Sequence, residues 1–229
     1  MAVYAIADLH LSLAVNKPMD VFSGWENYVE KIDENFKRLL KDDDVLVIAG
    51  DFSWGMNLDE ALEDFKFLDK FAGKKILLKG NHDFYFETIS KMNNFFKENN
   101  LNSISILQNN AYETEEFAIC GTRGWVNESN LEVDDKKILK REAIRLELSI
   151  LQAQKLKKPI KCFLHYPPVY KNAVNKEILD VLIKYNIDNC YYGHIHGGGK
   201  KYAIEGNYNK INLKLISADY LNFKPELIK

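Results

Sequence analysis

Short apolar runs and amphipathic stretches alternate along this chain. Residues 3–7 (VYAIA) are an apolar run of strand length, and residues 25–41 (WENYVEKIDENFKRLLK) set apolar side chains at helical spacing. Residues 44–50 (DVLVIAG) return to a β-branched strand pattern. Residues 57–71 read as an amphipathic helix with Asn57 as its N-cap, KILLKG follows as a strand, and residues 84–100 predict another helix. The alternation continues through SISIL, a strand pair around AYETEEFAICG, a charged helix near 134–157, KPIKCFLHY, a helix near 175–185 and NCYYGHIH. Towards the end, KKYAIEG and NLKLISADY predict antiparallel strands. A β-α-β-α opening followed by mixed hairpins predicts an α/β protein, with two sheets packed face to face and helices outside. No linker, low-complexity stretch or internal repeat divides the chain, so residues 1–229 read as a single domain.

Composition removes several classes of function. At 229 residues, 46% hydrophobic and 28% charged, the chain has the make-up of an ordinary globular protein with a substantial core. Its 31 Lys and Arg against 33 Asp and Glu leave a net charge of −2, unlike a dedicated nucleic-acid binder. The opening MAVYAIADLH has no basic region and only a short apolar stretch, which argues against a signal peptide. No segment reaches the roughly 18 apolar residues of a membrane helix. Cys120, Cys162 and Cys190 sit inside apolar runs without C-x-x-C spacing. An odd number in such settings predicts reduced core thiols, and with them a cytoplasmic location.

Most of the runs break off in residues that bind metals or move protons. The first ends Asp8-Leu9-His10, the second Gly50-Asp51 and the third Gly80-Asn81-His82-Asp83. A later one ends at His165, and the last long one in Gly193-His194-Ile195-His196. In open α/β sheets, ligand sites form where the carboxyl ends of strands converge, so neighbouring strands would bring these ends to one place. Each piece alone is commonplace, since an isolated His after a strand more often makes a structural hydrogen bond. The histidine census changes the weighing: His10, His82, His165, His194 and His196 all follow apolar runs. In an extended chain, residues i and i+2 point to the same side, so Asp8 with His10, and His194 with His196, would each present two side chains to one point. Imidazoles with carboxylate and amide oxygens suit Mn, Fe or Zn better than an all-oxygen Mg or Ca cage. So many ligands exceed the needs of one tetrahedral zinc and match two metals sharing a carboxylate.

DLH, GD, GNHD, a later His and GHIH, in this order across residues 8–196, resemble the signature of the calcineurin-like metallophosphoesterase superfamily. The combination is specific although its parts are not. The resemblance implies a four-layer α/β/β/α sandwich with its site at the strand ends. Carried over residue by residue, it implies that Asp8, His10, Asp51 and His196 hold one divalent cation. Asp51, Asn81, His165 and His194 would hold the other, with Asp51 bridging. His82 matches the family's histidine near the leaving group. The implied activity is cleavage of a phosphomonoester or phosphodiester in a small phosphorylated substrate, by in-line attack of a hydroxide shared between the metals.

Several residues keep two readings. Asp83 either orients the His82 imidazole as a catalytic partner or caps the helix expected from Phe84. Arg123, in CGTRGW, either clamps a substrate phosphate or pairs on the surface with Glu128 or Asp134. Trp54, Trp125 and Tyr166 shape a pocket or fill core. Gly197 to Lys200 fails the phosphate-loop spacing and reads as a flexible loop that lets His196 reach a metal. Ser217-Ala218-Asp219 borders the site or makes a turn. Arg141 and Arg145 lie on a solvated helix face or touch substrate. A nuclease of the same superfamily would need a basic groove, and a non-catalytic scaffold would show eroded ligands; neither feature is present. Specificity falls to the segments 11–24, 52–57 and 122–134.

Overall fold

The apolar runs fold as strands and the amphipathic stretches cover them. A computed structural model describes residues 1–125 and 133–229. The first half alternates β1 (Val3–Ile6), α1 (Tyr28–Leu39), β2 (Val45–Ala49), α2 (Leu58–Asp69), β3 (Lys74–Leu78), α3 (Ile89–Glu98) and β4 (Ile104–Ile106). Then come β5 (Tyr112–Glu113), β6 (Ala118–Thr122), α4 (Val133–Gln154), β7 (Ile160–Leu164), β8 (Val169–Tyr170), β9 (Ala173–Val174), α5 (Lys176–Lys184) and β10 (Asn189–Tyr192). A 3-10 turn over Gly197–Tyr202 leads to β11 (Gly206–Tyr208), β12 (Ile211–Leu215) and β13 (Glu226–Ile228).

Among the described residues, two large mixed sheets form, in the orders β13-β1-β2-β3-β4 and β11-β12-β10-β7-β6-β5. The strands β1 to β4 are parallel, with β13 antiparallel at the edge. In the second sheet β12, β10, β7 and β6 are parallel, with β11 and β5 as antiparallel edges. Helices α1 to α3 pack Ile32, Phe36, Phe65 and Phe96 on the side of Ile6, Leu46, Ile48 and Leu77. Helices α4 and α5 pack Leu146, Ile150 and Leu182 against Cys120, Leu164 and Leu213. The alternate residues Val3, Ala5, Val45, Val47 and Ile76 face Ile119, Phe163 and Tyr191 between the sheets. Each central strand thus serves two cores, which is why it reads as an unbroken apolar run. The architecture is a four-layer α/β/β/α sandwich. No helix among the described residues is long and apolar enough to cross a membrane.

The structure corrects several element boundaries. Helix α1 starts at Tyr28, because Asn27 takes a left-handed conformation (φ 52°) and Trp25 before it is buried in the core. Helix α3 starts at Ile89, not Phe84, with Thr88 as its cap, accepting the N–H of Lys91 at 3.4 Å. KKYAIEG is not a continuous strand: it holds the end of the 3-10 turn, an isolated antiparallel bridge from Ala203 to Tyr170, and only at its last residue, Gly206, the start of β11. Strand β13, unmarked by any long apolar run, pairs Ile228 with Val3. Part of the segment 122–134, including Glu128, lies outside the described residues.

Candidate metal centre

Five parallel strands deliver the polar residues to one edge. Asp8 follows β1, Asp51 follows β2 and Asn81 follows β3, while His165 follows β7 and His194 follows β10. Hydrogen bonds then join the two sheets at this edge. The His165 Nδ1 lies 3.1 Å from the Ala49 carbonyl oxygen, and the His194 backbone N–H donates to both Asp8 carboxylate oxygens, at 3.0 and 2.9 Å. Gly80 makes the approach of β2 and β3 possible, since a Cβ there would run into the Asp51 carboxylate and backbone nitrogen.

The side chains do not converge by strand alternation, as the i, i+2 argument supposed. Asp8 (φ 59°), His10 (φ 47°), Asp51 (φ 51°) and His194 (φ 68°) all adopt the left-handed conformation, which turns each chain sharply as it leaves its strand. An L residue there is disfavoured by about 1–2 kcal/mol. Such strain persists only where the surroundings over-determine it, and it gathers at functional sites.

Two groups of ligand-type atoms result, each within 4.8 Å: Asp8, His10 and Asp51 in one, Asp51, His165 and His194 in the other. Asp51 belongs to both. Its Oδ2 lies 3.8 Å from His10 Nε2 and 3.4 Å from His165 Nε2, while its Oδ1 accepts the His82 backbone N–H at 2.8 Å. Asn81 joins the second group, with Oδ1 2.7 Å from His165 Nε2. His196 packs edge-on to His10, ring centroids 5.4 Å apart.

The donor set fits divalent cations. Both ring nitrogens of His10 and the Asp51 Oδ2 are buried with no hydrogen-bond partner among the described residues. A carbonyl can only accept, so His165 carries its proton on Nδ1 toward Ala49 and turns the lone pair of Nε2 toward the Asn81 oxygen. Two lone-pair atoms face each other there, with the second imidazole nitrogen anchored on a backbone carbonyl as metal-ligating histidines commonly are. Electrostatics agree. Burial, reinforced by Asp51, raises Asp8 well above the usual carboxylate range, and burial pushes Asp51 up to about 6. Burial takes His165 down to about 3 and, with the neighbouring imidazoles, holds His10 well below its ordinary value. The buried imidazoles of His10 and His165 are therefore neutral lone-pair donors, and the carboxylates of Asp8 and Asp51 crowd one another.

His82 stands beside this cluster, half-buried, with its ring 4.3 Å from Trp54 and 5.6 Å from His10. Burial lowers its pKa. Trp54 also stacks on His10 at 5.0 Å, and Trp25 approaches His10 and His196 at 5.8 and 6.1 Å. These indoles wall the site. Trp25 escaped the sequence reading because it falls at the head of a helical pattern.

Asp83 takes neither role expected of it. Its buried carboxylate accepts the backbone N–H groups of Asp51 (2.9 Å), Phe52 (2.8 Å), Ser53 (3.3 Å) and Gly80 (2.6 Å). It holds the β2 and β3 loops together, and Thr88 does the capping. Arg123 lies next to the β7 loop, its carbonyl accepting the Tyr166 N–H at 2.9 Å. Its guanidinium sits 4.5 Å from the Trp125 ring and 3.7 Å from Glu142, a partner the sequence did not suggest. Tyr166 packs on His194, 4.2 Å between rings. Gly197 opens a 3-10 turn, not a flexible loop: its N–H donates to Asp219 at 2.8 Å, and Asp219 pairs with Lys200 at 3.0 Å. Asp219 thus borders the site by fixing the backbone after His196, and Ser217 bridges to Ala7 just ahead of Asp8.

The family model of the calcineurin-like phosphoesterases matches residues 1–198, a span that contains every residue of this cluster. The chain belongs to the calcineurin-like phosphoesterase family. As a member it is a metal-dependent hydrolase of phosphoesters. Solved structures share the fold at low identity. AQ665 of Aquifex aeolicus, a protein of unknown function, is 17% identical with a TM-score of 0.52, over 99% of this chain and 95% of its own. The phosphopantetheinyl hydrolase PptH of Mycobacterium tuberculosis is 14% identical with a TM-score of 0.53, over 99% and 95%. TT1561 of Thermus thermophilus is 12% identical with a TM-score of 0.53, over 100% and 98%. No curated protein matches the chain.

Proposed function

We propose that this phosphoesterase works with two divalent cations, Mn, Fe or Zn, on a phosphomonoester or phosphodiester of a small molecule. The observation that carries this reading is the membership of Asp51 in both ligand groups, Asp8–His10–Asp51 and Asp51–His165–His194. His196 completes the first set and Asn81 the second. A pair of cations held there would supply Lewis acidity toward phosphorus and a lowered pKa for water.

The chain's own residues do the rest. Asp83 and Gly80 set the Asp51 carboxylate, and the Ala49 carbonyl sets the His165 ring. His82 presents an imidazole N–H to the departing oxygen, a role in which the neutral ring still serves as a hydrogen-bond donor. Trp54 and Trp25 exclude water from the His10 side, and Arg123 draws the anionic substrate in. The buried thiols of Cys120, Cys162 and Cys190, neighbours in register across β6, β7 and β10, support a reducing compartment, the cytoplasm.

The test is metal content together with hydrolysis of para-nitrophenyl phosphate and its bis ester, with Mn, Fe or Zn supplied. Two metal ions per chain and activity on at least one ester are expected. A phosphopantetheinyl ester belongs in the diester panel, given the name of the mycobacterial neighbour. Absence of hydrolysis with every metal, or full activity in Asp51→Ala, would overturn the reading.

A further inference from the structure

Arg123 belongs to a charge cluster beside the site, whose other members the chemistry above does not use. Glu142, on α4, is fully buried. Its Oε2 accepts the Thr122 hydroxyl at 2.7 Å, and its Oε1 accepts Arg145 at 2.8 Å. The same Oε1 faces Arg123 at 3.7 Å and Arg141 at 4.0 Å, both beyond hydrogen-bond reach. Three guanidinium groups therefore address one carboxylate that is already taken up by two donors.

Arg123 is the member that is held ready. Its guanidinium is fixed over the Trp125 ring at 4.5 Å, and Trp125 is itself pinned by a 2.9 Å hydrogen bond to Asp135. Its Nε is buried without a hydrogen-bond partner among the described residues. Arg145 keeps roughly a third of its side chain exposed, with 31% of the area open. Two aromatic rings lead from Arg123 to the metal centre: Trp125 packs on Tyr166 at 5.7 Å and Tyr166 on His194 at 4.2 Å.

The geometry points to an anion site made by Arg123 and Arg145, which receives a second phosphate group of the substrate while the scissile phosphate lies at the metal centre. It rests on the hydrolase reading above and deepens it: the substrate class is a phosphoester carrying two phosphoryl groups. Planar guanidinium forks match phosphate oxygens, and a half-buried cation excess beside a single carboxylate is relieved by a dianion. Substrates with one phosphate leave those donors unmatched. The site therefore acts as a selector and anchor, not as part of bond cleavage.

The experiment has a structural and a kinetic arm. Crystals of the full chain soaked in sodium tungstate are expected to show one anomalous peak at the metal centre and a second in contact with Arg123 and Arg145. With Mn supplied, kcat/KM for 1,3-propanediol bisphosphate should exceed that for propyl phosphate by about tenfold or more. Arg145→Gln should cut this ratio at least fivefold, Arg145→Lys should restore part of it, and Lys214→Gln, on β12, should leave it alone. No tungstate at the arginines, a wild-type ratio near one, or a ratio unmoved in Arg145→Gln overturns the proposal. Tungstate at the arginines with neither ester hydrolysed under any metal overturns the hydrolase reading and leaves the anion site standing.

Discussion

The Asp83 carboxylate accepts the backbone N–H of Asp51 at 2.9 Å, tying the loop after β3 to the loop after β2. With Phe52, Ser53 and Gly80 also donating, one side chain collects four N–H groups that the sharp turns would leave orphaned in the interior. Asp51 holds its left-handed conformation because this carboxylate fixes the peptides on either side.

Replacing Asp83 by Asn would turn one acceptor oxygen into an N–H donor facing backbone N–H groups. Asp83→Asn is expected to lose about 3 kcal/mol of stability, since hydrogen bonds to a charged group are involved. Urea unfolding measures it, and a variant as stable as wild type would show that the four donors find water instead.

Gly80 has no room for a side chain. Gly80→Ala would push a methyl group into the Asp51 carboxylate and backbone nitrogen. Metal content should fall, and activity should drop about 100-fold for a displacement of roughly 1 Å. Elemental analysis beside an esterase assay checks both, and unchanged metal content would refute the close-approach argument.

His82 and Asn81 are adjacent in sequence and separate in task. Asn81→Ala should lower metal occupancy, because its Oδ1 lies 2.7 Å from the His165 Nε2 that faces the same group. His82→Ala should keep metal and lose turnover by about 100-fold or more. Equal loss of metal in the two variants would strip His82 of its leaving-group role.

Lys75 gives stability a dependence on pH away from the site. It is fully buried in β3, with Nζ donating to the Phe71 and Gly73 carbonyls beyond the end of α2. Burial lowers its pKa from 10.5 to about 8. Between those values the unfolded chain keeps a proton that the folded chain has released, so stability rises with pH across that window. Below about 8 both forms are charged and the burial penalty is present in full. Thermal unfolding from pH 7.5 to 10.5 should show a rise that Lys75→Met abolishes; a wild-type slope identical to the variant's would reject the assignment.

How much of this was legible beforehand follows the range of the interactions involved. The polar strand endings, the two buried sheets and the histidines at the strand ends are written in local patterns: apolar runs of strand length, and motifs of two to four residues. A strand that buries both faces must be apolar throughout, so the layers show in sequence. Asp83 could not be assigned in the same way, because three of its four donors lie about 30 residues upstream and become neighbours only when β2 pairs with β3. Glu142 was hidden for a related reason: on a charged helix it reads as one more solvated carboxylate, and only the packing of α4 on β6 buries it against Thr122 and Arg123.

The sequence by itself determined which side chains reach the strand ends and the chemistry they bring, since residue type and strand length are local properties. Tertiary structure alone decided how they face one another. Left-handed turns at Asp8, His10, Asp51 and His194 are held by hydrogen bonds between segments as far as 186 residues apart, since Asp and His tolerate that conformation more than most residues but still at a local cost.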